Sequence, residues 1–261
     1  MINDRKWTVE LVSKFLEFFF KFRPYNYQKR FLDKCLRYNR VAGKWPRQSG
    51  KSHTVGGYAL FRAITSKVTI IIVAPTQSQS GELYKKIRDM AASSSEVNKQ
   101  IVKSTETELR FANGSRIISL PSGPEGKTIR GYTADIAIIE EAGFMKDQIV
   151  NTVVIPMIAS KGKDGQIIKI GTPWVRNHFY RSCYEDKAYE NSVVSINWKE
   201  VVEVGQYDIQ YIEEQKLQLT DIEFRTEYES EFIDDAMAFF PLIILNNCKE
   251  DYPLFATYYI E

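Results

Sequence analysis

Trp45-Pro46-Arg47-Gln48-Ser49-Gly50-Lys51-Ser52 is the stretch from which the rest of the chain can be read. It has the make-up of a phosphate-binding loop. Small residues at Ser49 and Gly50 let backbone N–H groups close around phosphate oxygens. The Lys51 ammonium supplies a point charge to the β- and γ-phosphates, and the Ser52 hydroxyl is a ligand type for Mg2+. The flanks agree: residues 38–42 predict a short strand, and residues 51–66 predict a helix free of proline. A strand, loop and helix in that order set a helix N-terminus against an anion. One position departs from the usual G-x-x-x-x-G-K-[ST] pattern, because its first glycine is Trp45 here. Trp45 is expected to pack in the core or to line the adenine side.

Working outward, Ile136-Ala-Ile-Ile-Glu140-Glu141 predicts a buried strand ending in two carboxylates. That is the form of a Walker B element. Glu140 would hold Mg2+ through water, and Glu141 would polarise the water that attacks the γ-phosphate. Acidic pairs after apolar runs are common, and the signal gains its force from following the loop by about 90 residues. Ile168-Lys-Ile-Gly171-Thr172-Pro173 predicts a strand that carries a hydroxyl to the edge of the sheet where ligands of such folds bind. An ordinary Gly/Pro turn is the bland alternative.

The remaining elements alternate. Residues 7–22 and 27–38 predict helices, the first bearing the aromatic patch Phe18-Phe19-Phe20 on a helix that docks on its own core. Residues 68–74 form a continuous apolar run, as in a strand buried on both faces. A charged amphipathic helix is expected over 81–92. Asn113-Gly114 predicts a hairpin within 108–120. A helix carrying Pro156 is expected over 147–160, strands over 136–139, 166–170 and 192–197, and acid-rich helices over 209–219 and 221–232, followed by an apolar tail. Strands alternating with helices imply an α/β fold with a mostly parallel sheet and helices on both faces. The expected division is an ATPase core over residues 1–200 and a helical lid and linker over 201–261.

Composition narrows the class. A chain of 261 residues suits one large α/β domain with a small appendage. A formal charge of +2 neither demands nor excludes nucleic acid, since a local basic face can coexist with a neutral total. Cys35, Cys183 and Cys248 are far apart and lack metal-ligand spacing, which fits a reducing compartment. His53 and His178 are isolated, so no metal role is expected of them. Lys161, Lys163 and Lys169 could join a basic rim for DNA or sit on a solvated loop. No apolar run reaches transmembrane length, and Asp4, Arg5 and Lys6 do not make a signal peptide, so an intracellular protein with no membrane partner is expected.

Taken in order, these pieces resemble the ATPase part of the large subunit of a tailed-phage terminase, the motor that packages viral DNA. Asn26-Tyr-Gln28-Lys-Arg-Phe-Leu resembles the adenine-reading segment. Pro46 to Ser52 resembles a phosphate loop that often lacks the first glycine, which accommodates Trp45. Val73-Ala-Pro-Thr-Gln77 resembles the motif after the second strand. Thr128-Ile-Arg130-Gly-Tyr-Thr-Ala-Asp135 resembles the segment bearing a candidate arginine finger. Glu140-Glu141-Ala142 matches Walker B with Glu for the first Asp, and Gly171-Thr172-Pro173 resembles the coupling motif. Phe224-Arg-x-Glu-Tyr, Glu231-Phe232 and Phe240-Pro241 resemble the exit from the domain.

The resemblance implies an ASCE-type P-loop NTPase that hydrolyses ATP with Mg2+ and translocates double-stranded DNA. Arg47, Gln48, Ser49, Gly50, Lys51 and Ser52 would embrace the phosphates, Gln28 would read the adenine, and Thr172 would sense the γ-phosphate. Arg130 would serve a neighbouring subunit in trans, with Arg47 in cis as the alternative. Implied partners are the portal protein, the small terminase subunit and further copies of the chain in a ring, a pentamer on the procapsid and a monomer alone. The implied location is the host cytoplasm. Family members continue into a nuclease domain, and the sequence ends at Tyr258-Tyr-Ile-Glu261, so no nuclease activity is expected of it. A helicase-like or chromosomal DNA-remodelling ATPase, and a slow nucleotide-binding switch, are the competing readings.

Overall fold

The computed structural model describes residues 7–122 and 129–233. Thr128, Cys248, Phe240-Pro241 and the rest of the apolar tail lie outside the described residues.

Two helices open the chain, α1 (Val9–Phe20) and α2 (Asn26–Arg37), and lead into β1 (Arg40–Lys44). After the phosphate loop come α3 (Lys51–Thr65), β2 (Thr69–Ala74), α4 (Gln77–Ser93) and the single turn α5 (Ser95–Asn98). Three strands follow, β3 (Ile101–Ser104), β4 (Glu108–Phe111) and β5 (Arg116–Pro121). The carboxylate strand is β6 (Ile136–Glu140). Beyond it lie α6 (Asp147–Ile149), α7 (Ile155–Met157), β7 (Gln166–Gly171), α8 (His178–Tyr184) and β8 (Val193–Ser195). The described chain closes with α9 (Trp198–Glu203), α10 (Ile209–Gln218) and α11 (Asp221–Glu227).

The eight strands form one sheet in the order β3-β4-β5-β2-β6-β7-β1-β8. β5, β2, β6, β7, β1 and β8 run parallel, while β3 and β4 are antiparallel additions. Side chains alternate across it, as a period of two requires. Ile70 and Ile72 of β2, with Ile136 and Ile138 of β6, enter the core beneath α1–α4. Ile71 and Val73, with Ala137 and Ile139, enter the second core beneath residues 149–158 and α8. Both faces are therefore covered, which explains the unbroken apolar runs.

The Asn113-Gly114 hairpin forms as expected, with Gly114 at φ 87° between β4 and β5. The single helix expected over 147–160 does not. It is α6, a π-helical turn over Val150–Val154, and α7. Pro156 has no N–H to give the carbonyl four residues back, so a regular ladder cannot pass through it. β8 is shorter than the expected strand because Asn197 turns to cap α9, accepting the Lys199 N–H at 3.0 Å. α9 spans the boundary expected at residue 200, and its Val201 sits in the same core as Ile212 of α10 and Phe224 of α11. Lys169 is not part of a basic rim. It is 4% exposed, on the inner side of β7, donating to Ser182 Oγ at 2.8 Å.

Candidate active site

The phosphate loop leaves the C-terminal end of β1 and enters α3. Gln48 (φ 53°) and Gly50 (φ 82°) take left-handed conformations, which fold the loop back on itself. Gly50 is needed for its shape, and a Cβ there would stand 2.5 Å from Gln28 Nε2. Trp45 needs no such freedom. Its backbone is not left-handed, and its ring is fully buried, meeting Tyr27 and Phe31 edge-on at 5.4 and 5.3 Å. The pattern's first glycine is dispensable here because that side chain points into the core. Ser49 Oγ donates to Pro46 O at 2.7 Å, and Tyr27 OH donates to Ser49 O at 2.9 Å.

Lys51 is buried, and its ammonium reaches Pro46 O at 2.9 Å and Thr172 Oγ1 at 3.1 Å. Burial lowers its pKa, against the opposing fields of Glu141, Glu227 and Glu140. Ser52 Oγ donates to Glu140 Oε1 at 2.9 Å. Glu140 Oε2 is buried with no hydrogen-bond partner. Burial pushes the Glu140 carboxyl up to about 7, countered by the Ser52 bond and reinforced by Glu141. A hydroxyl beside a carboxylate with one unused oxygen is a donor set that fits Mg2+, which is held through one or two carboxylates and shared phosphate oxygens. Among the described residues no cluster of three or more His, Cys, Asp or Glu could hold a metal unaided.

Glu141 follows β6 in a left-handed conformation (φ 49°), and Ala142–Phe144 form a 3-10 turn. The end of β7 is pressed against this turn. A Cβ on Gly171 would lie 2.8 Å from Ala142 N, and one on Gly143 would lie 2.4 Å from Thr172 O. Asn177 braces the turn from outside, donating from Nδ2 to Gly143 O at 2.7 Å. Sequence reasoning missed that brace, because it foresaw no helix after Asn177.

Arg47, Gln48, Gly50, Lys51, Ser52, Glu140 and Glu141 line one cavity of about 370 Å³. Gln79, Glu82 and Lys86 of α4 form a further wall, a stripe at helical spacing whose role sequence reasoning missed. Gln206, between α9 and α10, also lines the cavity. Gln28 is not on its wall. It is 2% exposed, and its Oε1 accepts the Tyr25 N–H at 2.8 Å. Thr172 is buried beneath Lys51. Arg130 is exposed in the turn before Gly131 (φ 89°) and does not line the cavity.

A phosphate loop on β1, paired carboxylates on β6 and the strand β7 inserted between them define a P-loop NTPase of the ASCE type. Comparison with known proteins narrows the class. The family model for the N-terminal part of the T4likevirus-type terminase large subunit matches residues 44–247, and the chain belongs to that family. The ATPase domain of the large terminase of Thermus phage P74-26 superposes with a TM-score of 0.65 at 23% identity, covering 85% of this chain and 98% of that one. The large terminase of bacteriophage HK97 gives 0.72 at 16% identity, covering 86% of this chain and 55% of that one. The large terminase of a thermophilic bacteriophage, in complex with ADP, gives 0.60 at 12%, covering 79% and 53%. The chain thus spans about half the length of the latter two. At these identities the likeness establishes the fold. No curated protein matches the chain in sequence.

Proposed function

We propose that this chain is the ATP-hydrolysing motor part of a viral terminase large subunit, driving double-stranded DNA into a procapsid. The observation that carries this is one cavity that joins a phosphate loop, a hydroxyl–carboxylate pair and a second carboxylate. Phosphoryl transfer needs chiefly positioning and charge neutralisation, which these groups supply. The backbone N–H groups of Gly50, Lys51 and Ser52 open α3 toward the phosphates, and Lys51 neutralises the β- and γ-oxygens. Ser52 and Glu140 would hold Mg2+, which when bound neutralises phosphate charge. Glu141 orients the attacking water and takes its proton. Thr172 responds to the γ-phosphate through Lys51. Gln28 contacts the adenine once it exchanges its bond to Tyr25.

Arg130 reaches a neighbouring copy in a ring, a pentamer on the procapsid, and Arg47 is the alternative in cis. The portal protein and the small terminase subunit complete the machine in the host cytoplasm. Among the described residues no helix is long and apolar enough to cross a membrane.

The test is Mg2+-dependent ATP hydrolysis by the purified chain, with and without double-stranded DNA. Lys51→Ala should abolish it while leaving the circular dichroism spectrum intact. Near-normal turnover in that folded variant would overturn the site. Separation of a forked duplex, in place of translocation along intact duplex, would favour the helicase-like reading.

A further inference from the structure

The side-chain amide of Asn177 works at both of its ends. Its Oδ1 accepts the Phe179 N–H at 2.8 Å and so caps α8. Its Nδ2 donates to Gly143 O at 2.7 Å and also reaches Met145 O at 3.3 Å and Ala142 O at 3.4 Å. Only one orientation of the amide satisfies this set, since the carbonyls require a donor and the N–H an acceptor. One side chain therefore holds three carbonyls of the segment that follows Glu141. Asp147 adds a second strut to the same helix. Its Oδ1 accepts the His178 N–H at 2.6 Å, and its Oδ2 accepts from Arg181 Nη2 at 2.5 Å.

The two carboxylates at the end of β6 differ in what fixes them. Glu140 is still registered in the sheet, opposite Ile170 of β7. Glu141 lies beyond the last registered position and is left-handed at φ 49°, an uncommon state for a residue with a Cβ. Its direction depends on the turn, in which Phe144 N–H donates to Glu141 O at 2.9 Å. On the inner side β7 stops the turn, because a Cβ on Gly171 would lie 3.1 Å from Glu141 Cα. On the outer side the stop is Asn177.

We propose that Asn177 is a positioning residue for hydrolysis that acts through Glu141, fixing the turn from which that carboxylate meets the attacking water. This rests on the ATP-hydrolysing reading of the cavity. The residue then has two separable jobs: the cap serves the fold, and the brace serves the chemistry. Serine caps a helix about as well as asparagine but is too short to span three carbonyls as well.

The test compares variants of the full chain. In Asn177→Ser, ATP turnover at saturation should fall roughly 10–10²-fold, the scale of a small misplacement of a reacting group. ADP affinity, measured by calorimetry, should stay at the wild-type value, because the phosphate loop is untouched. Added to Glu141→Gln, the same change should lower residual turnover by no more than about twofold, since no carboxylate is left to aim. An equal fall in that background, wild-type turnover in Asn177→Ser, or a loss of ADP affinity as large as the loss of turnover would each overturn the proposal. Should the serine variant melt early, Asn177→Asp, which caps and has no N–H to give, takes its place and must show the same pattern. Hydrogen exchange supplies an arm independent of turnover. The Phe144 and Met145 amides should exchange roughly tenfold faster in Asn177→Ser, with the α8 amides unchanged. Unchanged exchange at Phe144 and Met145 would also sink the idea. A wild-type chain that hydrolyses ATP and loses this in Lys51→Ala upholds the site whatever the Asn177 variants return. In a chain without turnover, the exchange arm alone decides.

Discussion

The Lys51 ammonium donates to Thr172 Oγ1 at 3.1 Å, tying the phosphate loop to the end of β7 across 121 positions of sequence. Phosphate oxygens would compete for the same ammonium. Thr172 is thus placed to lose or keep its donor according to what fills the loop. Its carbonyl lies against Gly143, in the turn that follows the two carboxylates, so any shift of Thr172 is felt at Glu141.

Thr172→Val keeps the shape and deletes the acceptor. ATP turnover should fall roughly tenfold, the scale of one hydrogen bond to a charged group, with ADP affinity little changed. Thr172→Ser should restore most of the rate. A valine variant as fast as wild type would show that the contact is idle.

Gly143→Ala tests the close approach. Its Cβ would stand 2.4 Å from Thr172 O, a backbone atom that cannot swing away. The variant should lose about 1–3 kcal/mol of stability, the usual cost of overpacking. Gly81→Ala on α4, where nothing lies within 4 Å, is the matched control. It should be neutral or mildly stabilising. Thermal melts of the pair decide the matter.

Trp45→Gly restores the consensus of the phosphate loop and should nonetheless harm the protein. Removing a fully buried indole from between Tyr27 and Phe31 leaves a cavity, at a cost of about 3–5 kcal/mol. Chemical denaturation would read this directly. A stable glycine variant would contradict the packing account.

The site was legible where its chemistry sits on consecutive residues at strand ends. Gly50-Lys51-Ser52 announces itself by its residue types at the start of α3, and Glu140-Glu141 and Gly171-Thr172 do so because β6 and β7 are largely apolar runs that stop at a polar edge. What was not legible depends on pairs far apart in the chain. Arg47 with Glu227, Gln48 with Gln206 and Gly143 with Asn177 meet only once the sheet is built. The short helices α5, α8 and α9 carry too few residues for a periodic signal, and only their Ser94, Asn177 and Asn197 caps mark them. Lys169 misled because a lysine on a buried strand is rare, and its partners Ser182 and His178 come from a helix not foreseen.

Burial lifts the Glu140 carboxyl to about 7, and that sets a pH dependence. The unfolded chain releases this proton near 4.5, whereas the folded, nucleotide-free protein keeps it to about 7. Between those values the native state binds more protons, so the stability owed to Glu140 is full below the lower value and is lost as pH rises through the upper one. Melting temperature should decline over that window, and Glu140→Gln should flatten the decline. The proton must also leave before a metal takes the carboxylate. The Mg2+ concentration needed for tight ADP binding should therefore be higher at about pH 6 than at about pH 8. An Mg2+ requirement independent of pH would remove Glu140 from the metal.

Arg130 follows the buried Ile129 and precedes the left-handed Gly131, so its side chain leaves the surface from a fixed turn. It is exposed and lies off the wall of its own cavity. The proposed role of an arginine held there is to meet a γ-phosphate on another copy of the chain. Arginine fingers contribute roughly 10³–10⁵-fold to turnover. The isolated chain should therefore be a poor ATPase whose specific activity rises with protein concentration or on assembly. Arg130→Ala should bind ADP normally and stay inactive when concentrated. Glu141→Gln should lose roughly 10²-fold or more through the missing general base. Mixing the two variants is the decisive measurement. Where an Arg130→Ala subunit, with its Glu141 intact, abuts a Glu141→Gln subunit, with its Arg130 intact, one complete site forms. Activity should then reappear, highest near equal proportions. If the mixture stays dead while each variant still assembles, Arg130 does not act in trans, and Arg47, already on the cavity wall, takes its place in cis.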